Sequence, residues 1–177
     1  DVFEHISFRA EKGQTIAFIG STGSGKSTLI NLVPRFYDAT ECEVLVDGVN
    51  VKNLKQSTLR SKIGYVPQKG VLFSGTVAEN IGFGGKADRA GIEEAAKVAE
   101  ADGFITEMGG YDSPISQGGK NVSGGQKQRI SIARAVAQNP EIMIFDDSFS
   151  ALDYKTDRQV REILKGALSG ATNLIVA

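Results

Sequence analysis

The sequence has little of what commonly stabilises or targets small proteins: its 177 residues include one cysteine, four prolines, one histidine and no tryptophan. The single thiol, Cys42, cannot form a disulfide within the chain, which is compatible with a reducing compartment. The formal net charge of −1 argues against nucleic-acid binding through a general basic surface. No apolar run reaches the roughly 18 residues of a membrane span, and no signal-peptide pattern stands at the start. These absences predict a soluble domain with no nucleic-acid partner.

Length and glycine content favour one compact domain. A chain of this size can bury about 70% of the surface that its unfolded form exposes, so it needs no disulfide bonds for stability. Its 21 glycines indicate local turns and loops rather than a disordered tract, because they cluster at 20–25, 82–91, 109–119 and 124–125. The chain starts within one predicted strand and stops within another, so we expect a domain truncated at both ends.

Strand and helix patterns alternate at both ends of the chain, which predicts a mainly parallel sheet with crossover helices. Apolar residues alternate over 6–10 and, with the strand at 15–20, predict a hairpin. The helix that follows must end or bend at Pro34. A second hairpin is predicted over 43–51, because Asp47-Gly48 is a strong turn signal.

The middle of the chain changes character and predicts a helical insertion. A Gly-rich break precedes an Ala-rich helix from Ile92 to Ala101, and a further helix runs from Ser123 to Gln138. Strand 142–146, a helix with one apolar face and a last strand then complete the core. The predicted division is 1–70 and 139–177 for a core with its β accessory layer, and about 71–138 for a helical subdomain.

Residues 20–27 read GSTGSGKS and match the phosphate-loop pattern G-x-x-x-x-G-K-[ST] between a predicted strand and a predicted helix. Such a loop points its backbone N–H groups at phosphate oxygens. Lys26 is predicted to bridge the β- and γ-phosphates, and the Ser27 hydroxyl to ligate Mg²⁺. An ordinary Gly/Ser turn is the alternative. The predicted nucleotide contacts are Gly20, Ser21, Thr22, Gly23, Ser24, Gly25, Lys26, Ser27 and Thr28.

Two adjacent acids, Asp146 and Asp147, end the apolar strand 142–146. If the phosphate loop binds a nucleotide, Asp146 is the expected partner acid that holds Mg²⁺ through Ser27 or water. A plain turn acid at the end of a strand is the alternative for Asp146.

Ser123-Gly124-Gly125-Gln126 forms a second predicted anion site. Ser123 is a favourable N-cap, and the two glycines leave the N–H groups of the first helical turn accessible. A domain that binds one triphosphate has no obvious use for two anion sites. The second site is therefore expected to serve a nucleotide held by a partner domain.

With these motifs the sequence strongly resembles the nucleotide-binding domain of ABC transporters over its whole length. Gln68 looks like the family's Q-loop residue, SGGQ at 123–126 like its signature, and SALD at 150–153 like its D-loop. The resemblance implies an α/β fold: a P-loop NTPase (RecA-like) core with an antiparallel β accessory layer and an inserted helical subdomain. It also implies ATP and Mg²⁺ as ligands and ATP hydrolysis as the activity.

The resemblance further implies partners and a location. Two such domains close head to tail, so that each ATP lies between the phosphate loop of one and Ser123, Gly124, Gly125 and Gln126 of the other. Closure drives attached transmembrane domains between two states, and hydrolysis resets them. The domain would thus lie at the cytoplasmic face of the cell membrane.

Finer features resemble multidrug-type exporters. These are the stretch PQKGVLFSGTVAENI around the Q-loop, and PISQGGKNVSGGQ, in which Gly119 precedes Ser123 by four residues. Residues 71–73 (VLF) are expected either to line the groove that receives a membrane domain or to be core residues. A soluble ABC ATPase of repair or translation, a homodimeric exporter and a module without turnover remain alternatives.

The resemblance also assigns the chemistry. Asp147 and Gln68 are the expected catalytic residues, and Ser27, Gln68 and Asp146 are the expected metal ligands. Most of the family has Glu where this chain has Asp147, so the shorter carboxylate is expected to fall about 1 Å short of the attacking water. This predicts a weak site in one half of a heterodimer. A compensating backbone shift that keeps Asp147 a competent base is the alternative.

Other departures from the family concern single residues. Cys42 stands where the family often has Gly and is expected to be a tolerated buried thiol. Gln117 stands where exporters usually carry a Glu at the membrane-domain interface, and His5 is expected to be a surface residue. The adenine-stacking aromatic and the switch residue are expected to lie just outside the two ends.

Overall fold

The structure, a computed structural model, describes residues 6–177. The strands are β1 (Thr15–Phe18), β2 (Leu45–Val46), β3 (Val49–Asn50), β4 (Ile63–Val66), β5 (Gly75–Thr76), β6 (Pro114–Ile115), β7 (Ile142–Asp146) and β8 (Thr172–Val176). Four of them form a parallel sheet in the order β1-β8-β7-β4. Parallel neighbours require long crossovers, so the predicted alternation of strands and helices is confirmed.

The helices begin and end at local signals. They are α1 (Lys26–Ile30), α2 (Gln56–Arg60), α3 (Val77–Ile81), α4 (Arg89–Val98), α5 (Asp102–Glu107), α6 (Gly124–Ala137) and α7 (Tyr154–Ala167). The predicted helix at 92–101 is displaced, because Asp88 caps α4 with an acceptor for Gly91 N–H and Glu100 takes a left-handed φ of 55°. The helix after the phosphate loop ends at Ile30, well before Pro34.

Both faces of the central sheet are covered. Met143 and Phe145 of β7 pack into a cluster with α3, α4, α6 and α7, whereas Ile144 packs on the opposite side with residues such as Leu59 and Val46. Successive strand residues point to opposite faces, so β7 is apolar from Ile142 to Phe145 because it lies between two layers. Its last residue, Asp146, is therefore a carboxylate at the rim of two apolar layers.

The antiparallel accessory structure is smaller than the sequence indicates. The hairpin β2–β3 turns at Asp47 and Gly48, with φ of 52° and 76°, as predicted. The hairpin predicted over 6–20 is wrong, because β1 pairs in parallel with β8 and residues 6–14 form no strand. Phe8 instead contacts Phe18 edge to face, with ring centroids 5.3 Å apart. Ile6 and Phe8 nevertheless remain 45% and 47% exposed, so the apolar alternation of this segment corresponds here neither to a strand nor to a buried face. His5 lies outside the described residues.

The loop that joins α1 to the first hairpin corrects the expectation for Cys42. Its thiol is exposed rather than buried. The cysteine stands between Glu41 and Glu43, and all three residues are exposed. A Gly-to-Cys replacement is tolerated here because nothing packs over it.

The segment 71–138 contains four helices, α3 to α6, and the two-residue ladder β5–β6. Helix α6 contacts both α4 and strand β4. The helix content agrees with the predicted insertion, while the division of the chain into two parts stays a prediction.

Gly64 in β4 allows α6 to approach the sheet, and Gly64→Ala should lower the free energy of unfolding by about 2 kcal/mol. An added Cβ would lie 2.6 Å from Met143 Sδ, 2.9 Å from Pro140 Cγ and 3.0 Å from the Ala135 carbonyl oxygen. Urea denaturation measures the loss. Gly166→Ala is the matched control, because its Cβ would meet no atom within 4 Å in helix α7. It should stabilise by about 1 kcal/mol. Equal effects of the two substitutions would contradict the packing argument.

Candidate functional site

The predicted site residues gather at the carboxyl edge of the parallel sheet. The loop after β1 leads into α1, which contacts β7 and β8. Asp146 ends β7, and Gln68 follows β4 by two residues. Carboxyl ends of parallel strands share one edge, and ligands bind there in open α/β sheets.

The phosphate loop wraps around its own lysine. Gly23 and Gly25 take left-handed φ values of 82° and 89°, which other residues adopt only with strain. The Lys26 ammonium donates to the carbonyl oxygens of Gly20, at 2.6 Å, and Ser21, at 3.0 Å. The cation therefore lies across the loop, where phosphate oxygens can replace the carbonyls as its partners. Thr22 and Ser24 are exposed at the same loop.

Two predicted metal ligands are in direct contact. The Ser27 hydroxyl donates to Asp146 Oδ1 at 2.5 Å, although 119 residues separate them in sequence. This hydroxyl and carboxylate fit Mg²⁺, which prefers oxygen ligands and takes only one or two protein groups beside phosphates and water. Within residues 6–177 no group of three or more His, Cys, Asp or Glu side chains could hold a metal by itself. The donor set therefore suits a metal that arrives with a nucleotide.

Tyr65, which belongs to none of the sequence motifs, contacts the second carboxylate oxygen of Asp146. The Tyr65 phenol oxygen is 3.0 Å from Asp146 Oδ2 and 2.9 Å from Asn31 Oδ1. Burial, followed by the neighbouring Asp146 charge, raises the pKa of Tyr65 well above its ordinary value, so the phenol keeps its proton. Ser27 and Asn31 are four residues apart, and this spacing alone would have predicted that their side chains lie on the same face of the helix.

Asp147 and Gln68 are also in contact. The Gln68 amide nitrogen donates to Asp147 Oδ2 at 2.8 Å. Asp147 has a left-handed φ of 47°, and its N–H donates to the Val176 carbonyl, so the backbone turns its carboxylate toward the loop after β4. Gln68 contacts Asp147 in this structure, and its roles as metal ligand and catalytic residue stay predictions.

The predicted signature is an open helix start. Ser123 caps α6: its Oγ accepts from Gln126 N–H, and Gln126 Oε1 accepts from Ser123 N–H. Ser123 and Gly124 are exposed, and a Cβ on Gly124 would meet no atom within 4 Å. A Cβ on Gly125, by contrast, would lie 3.4 Å from the carbonyl oxygen of Ala151 in the SALD segment. The first two residues of the signature are therefore open to solvent, whereas Gly125 lies against the SALD segment.

Residues 71–73 differ in exposure, and a membrane-domain contact at this segment stays a prediction. Val71 and Phe73 are 56% and 44% exposed, whereas Leu72 is 2% exposed and belongs to the core. Phe73 and Phe83 line an open groove together with Ala78, Gly82, Ala87 and Ile92. Gln117 is exposed in a 3₁₀ turn.

The parallel sheet with a phosphate loop between β1 and α1 defines a P-loop NTPase fold with helices around it. The sequence profile of one family, described as "ABC transporter", matches residues 3–150. The chain therefore belongs to the ABC transporter family, whose ATP-binding domains are in general ATPases that bind ATP with Mg²⁺.

Individual relatives agree with this assignment. An uncharacterized ABC transporter ATP-binding protein of Mycobacterium tuberculosis is 49% identical over 99% of this chain and 31% of its own length. A Staphylococcus aureus ATP-binding/permease protein, whose name proposes multidrug export, is 47% identical over 99% of this chain and 31% of its own length. A solved bacterial Atm1-family ABC exporter with ATP bound has a TM-score of 0.89 and 40% identity, covering 93% of this chain and 30% of that one.

The chain thus spans less than a third of these relatives. Among residues 6–177 no helix has both the length and the apolar character that crossing a membrane requires.

Proposed function

We propose that the chain is the ATP-hydrolysing motor domain of an ABC exporter, placed at the cytoplasmic face of the cell membrane by its attachment to transmembrane domains. The observation that carries the proposal is the contact of Ser27 with Asp146 beside the phosphate loop. The likeness to a solved exporter with ATP bound supports it.

Nucleotide binding uses the phosphate loop that surrounds the Lys26 ammonium. Residues Gly20 to Thr28 supply backbone N–H groups and hydroxyls to the phosphates, and Lys26 exchanges its two carbonyl partners for phosphate oxygens. Ser27 and Asp146 would hold Mg²⁺, which would neutralise charge on the phosphate oxygens when bound. The protein's part is positional, since phosphoryl transfer depends on alignment and electrostatics.

Asp147 and Gln68 act on the attacking water. Both side chains lie at the edge of the sheet that holds Asp146, and their mutual hydrogen bond orients Asp147. Asp147 accepts the proton of the water as general base, and Gln68 contributes to orienting it. Because Asp147 is one methylene shorter than the Glu usual in this family, it places its carboxylate about 1 Å away from the best position.

The partner is a second ABC nucleotide-binding domain in a head-to-tail dimer. The open start of α6, with Ser123 and Gly124 exposed, supports this, since an exposed helix N-terminus binds phosphate. The short Asp147 favours a heterodimer in which this chain's phosphate loop forms the weakly hydrolysing site. Its intact signature would then complete the active site on the partner.

Two alternatives have different consequences. A homodimeric exporter requires Asp147 to be the competent base at both sites. A soluble ABC ATPase of repair or translation requires coiled-coil or tandem ATPase sequence around this domain, whereas the exporter requires membrane spans in the full-length protein. Sequencing the whole gene distinguishes the soluble class from an exporter, and Asp147→Asn tests the homodimeric alternative.

Ser123→Ala tests the role of the signature and should lower ATP turnover by about 10-fold or more, through loss of a hydrogen-bond donor to a charged phosphate. It also removes an N-cap, which costs about 1 kcal/mol. Asp88→Ala is the matched control, because it removes the N-cap of α4 away from the site. Turnover of the full-length protein and its thermal unfolding are measured together.

We expect the two variants to lose similar stability, with only Ser123→Ala losing turnover. Equal losses of turnover in both would reduce Ser123 to a helix cap and contradict the assignment of the signature. In a heterodimer, the loss should fall on the site built around the partner's phosphate loop.

A further inference from the structure

Asp146 is held from two directions by groups on different elements. Ser27 of α1 donates to Oδ1, and the Tyr65 phenol of β4 lies 3.0 Å from Oδ2. Asn31, one turn after Ser27, lies on the other side of the phenol oxygen at 2.9 Å. Ser27 thus contacts the Asp146 carboxylate directly, and Asn31 is linked to the same carboxylate through Tyr65.

We propose that Tyr65 is a positioning residue for Asp146: its hydroxyl holds Oδ2 so that Oδ1 faces Ser27 and the magnesium of bound ATP. The inference rests on the proposed role of Asp146 as a Mg²⁺ ligand. It assigns to the strand before Gln68 a function in metal binding that the motifs do not contain.

The single proton of the phenol decides the direction of the hydrogen bonds. A carboxylate is a charged and therefore stronger acceptor than an amide, so the phenol donates to Asp146. A half-turn of the Asn31 amide then lets its NH₂ group donate to the phenol oxygen. In this arrangement the phenol is fixed at two points.

The burial of Asp146 makes the orientation of its carboxylate sensitive to this donor. Asp146 is only 8% exposed, so water cannot freely replace a lost hydrogen bond at Oδ2. Without the phenol, the carboxylate can rotate about its last torsion, which is broad for Asp. Rotation would move Oδ1 out of line with Ser27 and weaken the two-residue metal site.

The hydroxyl can be removed without removing the packing of the ring. Tyr65 packs edge to face against Phe36, with ring centroids 5.2 Å apart, and Tyr65→Phe keeps this contact. The substitution therefore separates a positioning role from a purely structural one.

The test compares ATP affinity with Mg²⁺ and with EDTA in the full-length protein, by isothermal titration. Tyr65→Phe should reduce the gain in affinity that Mg²⁺ confers by about 10-fold, the scale of a hydrogen bond to a charged group. Affinity in EDTA should stay at the parent value, because Lys26 and the loop are unchanged. Asn31→Ala, a second variant, should reduce the gain in the same direction but less.

Tyr111→Phe is the matched control. Its hydroxyl also donates to a carboxylate, Asp102 Oδ1 at 2.6 Å, but in the helical segment away from the phosphate loop. We expect the gain from Mg²⁺ to be unchanged in Tyr111→Phe. An equal reduction in both tyrosine variants, or a proportional loss of affinity in EDTA, would show a general structural effect and overturn the proposal.

Asp146→Asn separates this inference from the proposed function on which it rests. If Asp146→Asn removes the gain from Mg²⁺ while Tyr65→Phe and Asn31→Ala leave it intact, the positioning role is wrong and the metal assignment stands. If Asp146→Asn also leaves the gain intact, the metal assignment itself fails and the inference with it.

Discussion

Lys26→Ala is expected to lower the affinity for Mg²⁺-ATP by at least about 100-fold, since it removes the cation predicted to bind the β- and γ-phosphates. The structure adds a second reason. The ammonium is held by the Gly20 and Ser21 carbonyls, so in the variant these oxygens remain in the loop and face the incoming phosphates without a cation between them. Titration with Mg²⁺-ATP measures the loss.

Lys26→Met is the companion variant, because it retains much of the side-chain length without the charge. It should lose nearly as much affinity as Lys26→Ala if the charge is what matters. Lys86→Ala, at an exposed position in the Gly-rich segment, is the control and should bind normally. Unchanged affinity in both Lys26 variants would remove the assignment of the phosphate loop.

Asp147→Glu is expected to raise turnover at this chain's own nucleotide site by up to about 100-fold, because it returns the carboxylate by about 1 Å toward the attacking water. The change extends a side chain that the structure already holds at the correct edge, through Gln68 Nε2 at 2.8 Å. Single-turnover hydrolysis by the full-length protein measures it. Asp112→Glu, at an exposed aspartate in the helical segment, is the control and should leave turnover unchanged.

Asp147→Asn supplies the opposite arm. In a heterodimer with one strong site on the partner, most hydrolysis should survive this substitution. If Asp147→Asn eliminated all hydrolysis, Asp147 would be an ordinary catalytic base and the proposal of an asymmetric pair would be wrong. A fall in turnover in Asp147→Glu would likewise mean that the backbone, with its left-handed φ of 47°, already compensates for the shorter side chain.

Several elements of this protein follow from short stretches of sequence alone. The turn at Asp47-Gly48, the cap at Ser123 and the strand that ends at Asp146 were predicted at the positions where the structure has them. Each depends on the conformational preferences of a few neighbouring residues: a left-handed turn, a side-chain oxygen that accepts from the first turn of a helix, or an apolar run bounded by polar residues. The phosphate loop was likewise placed between its strand and helix, although its ligands remain predictions.

What the tertiary structure alone decided concerns residues far apart in sequence. Strand β1 pairs with β8 rather than with residues 6–10, and Cys42 is exposed. Both facts depend on which elements pack together. Local alternation cannot specify this, because the same apolar pattern occurs in a hairpin strand and in a loop whose apolar side chains remain largely exposed. Tyr65 and Asp146, 81 residues apart, meet because β4 and β7 are parallel neighbours. The sequence predicted that Asp146 is the functional acid, but only the order of strands in the sheet shows that Tyr65 is the side chain that contacts it.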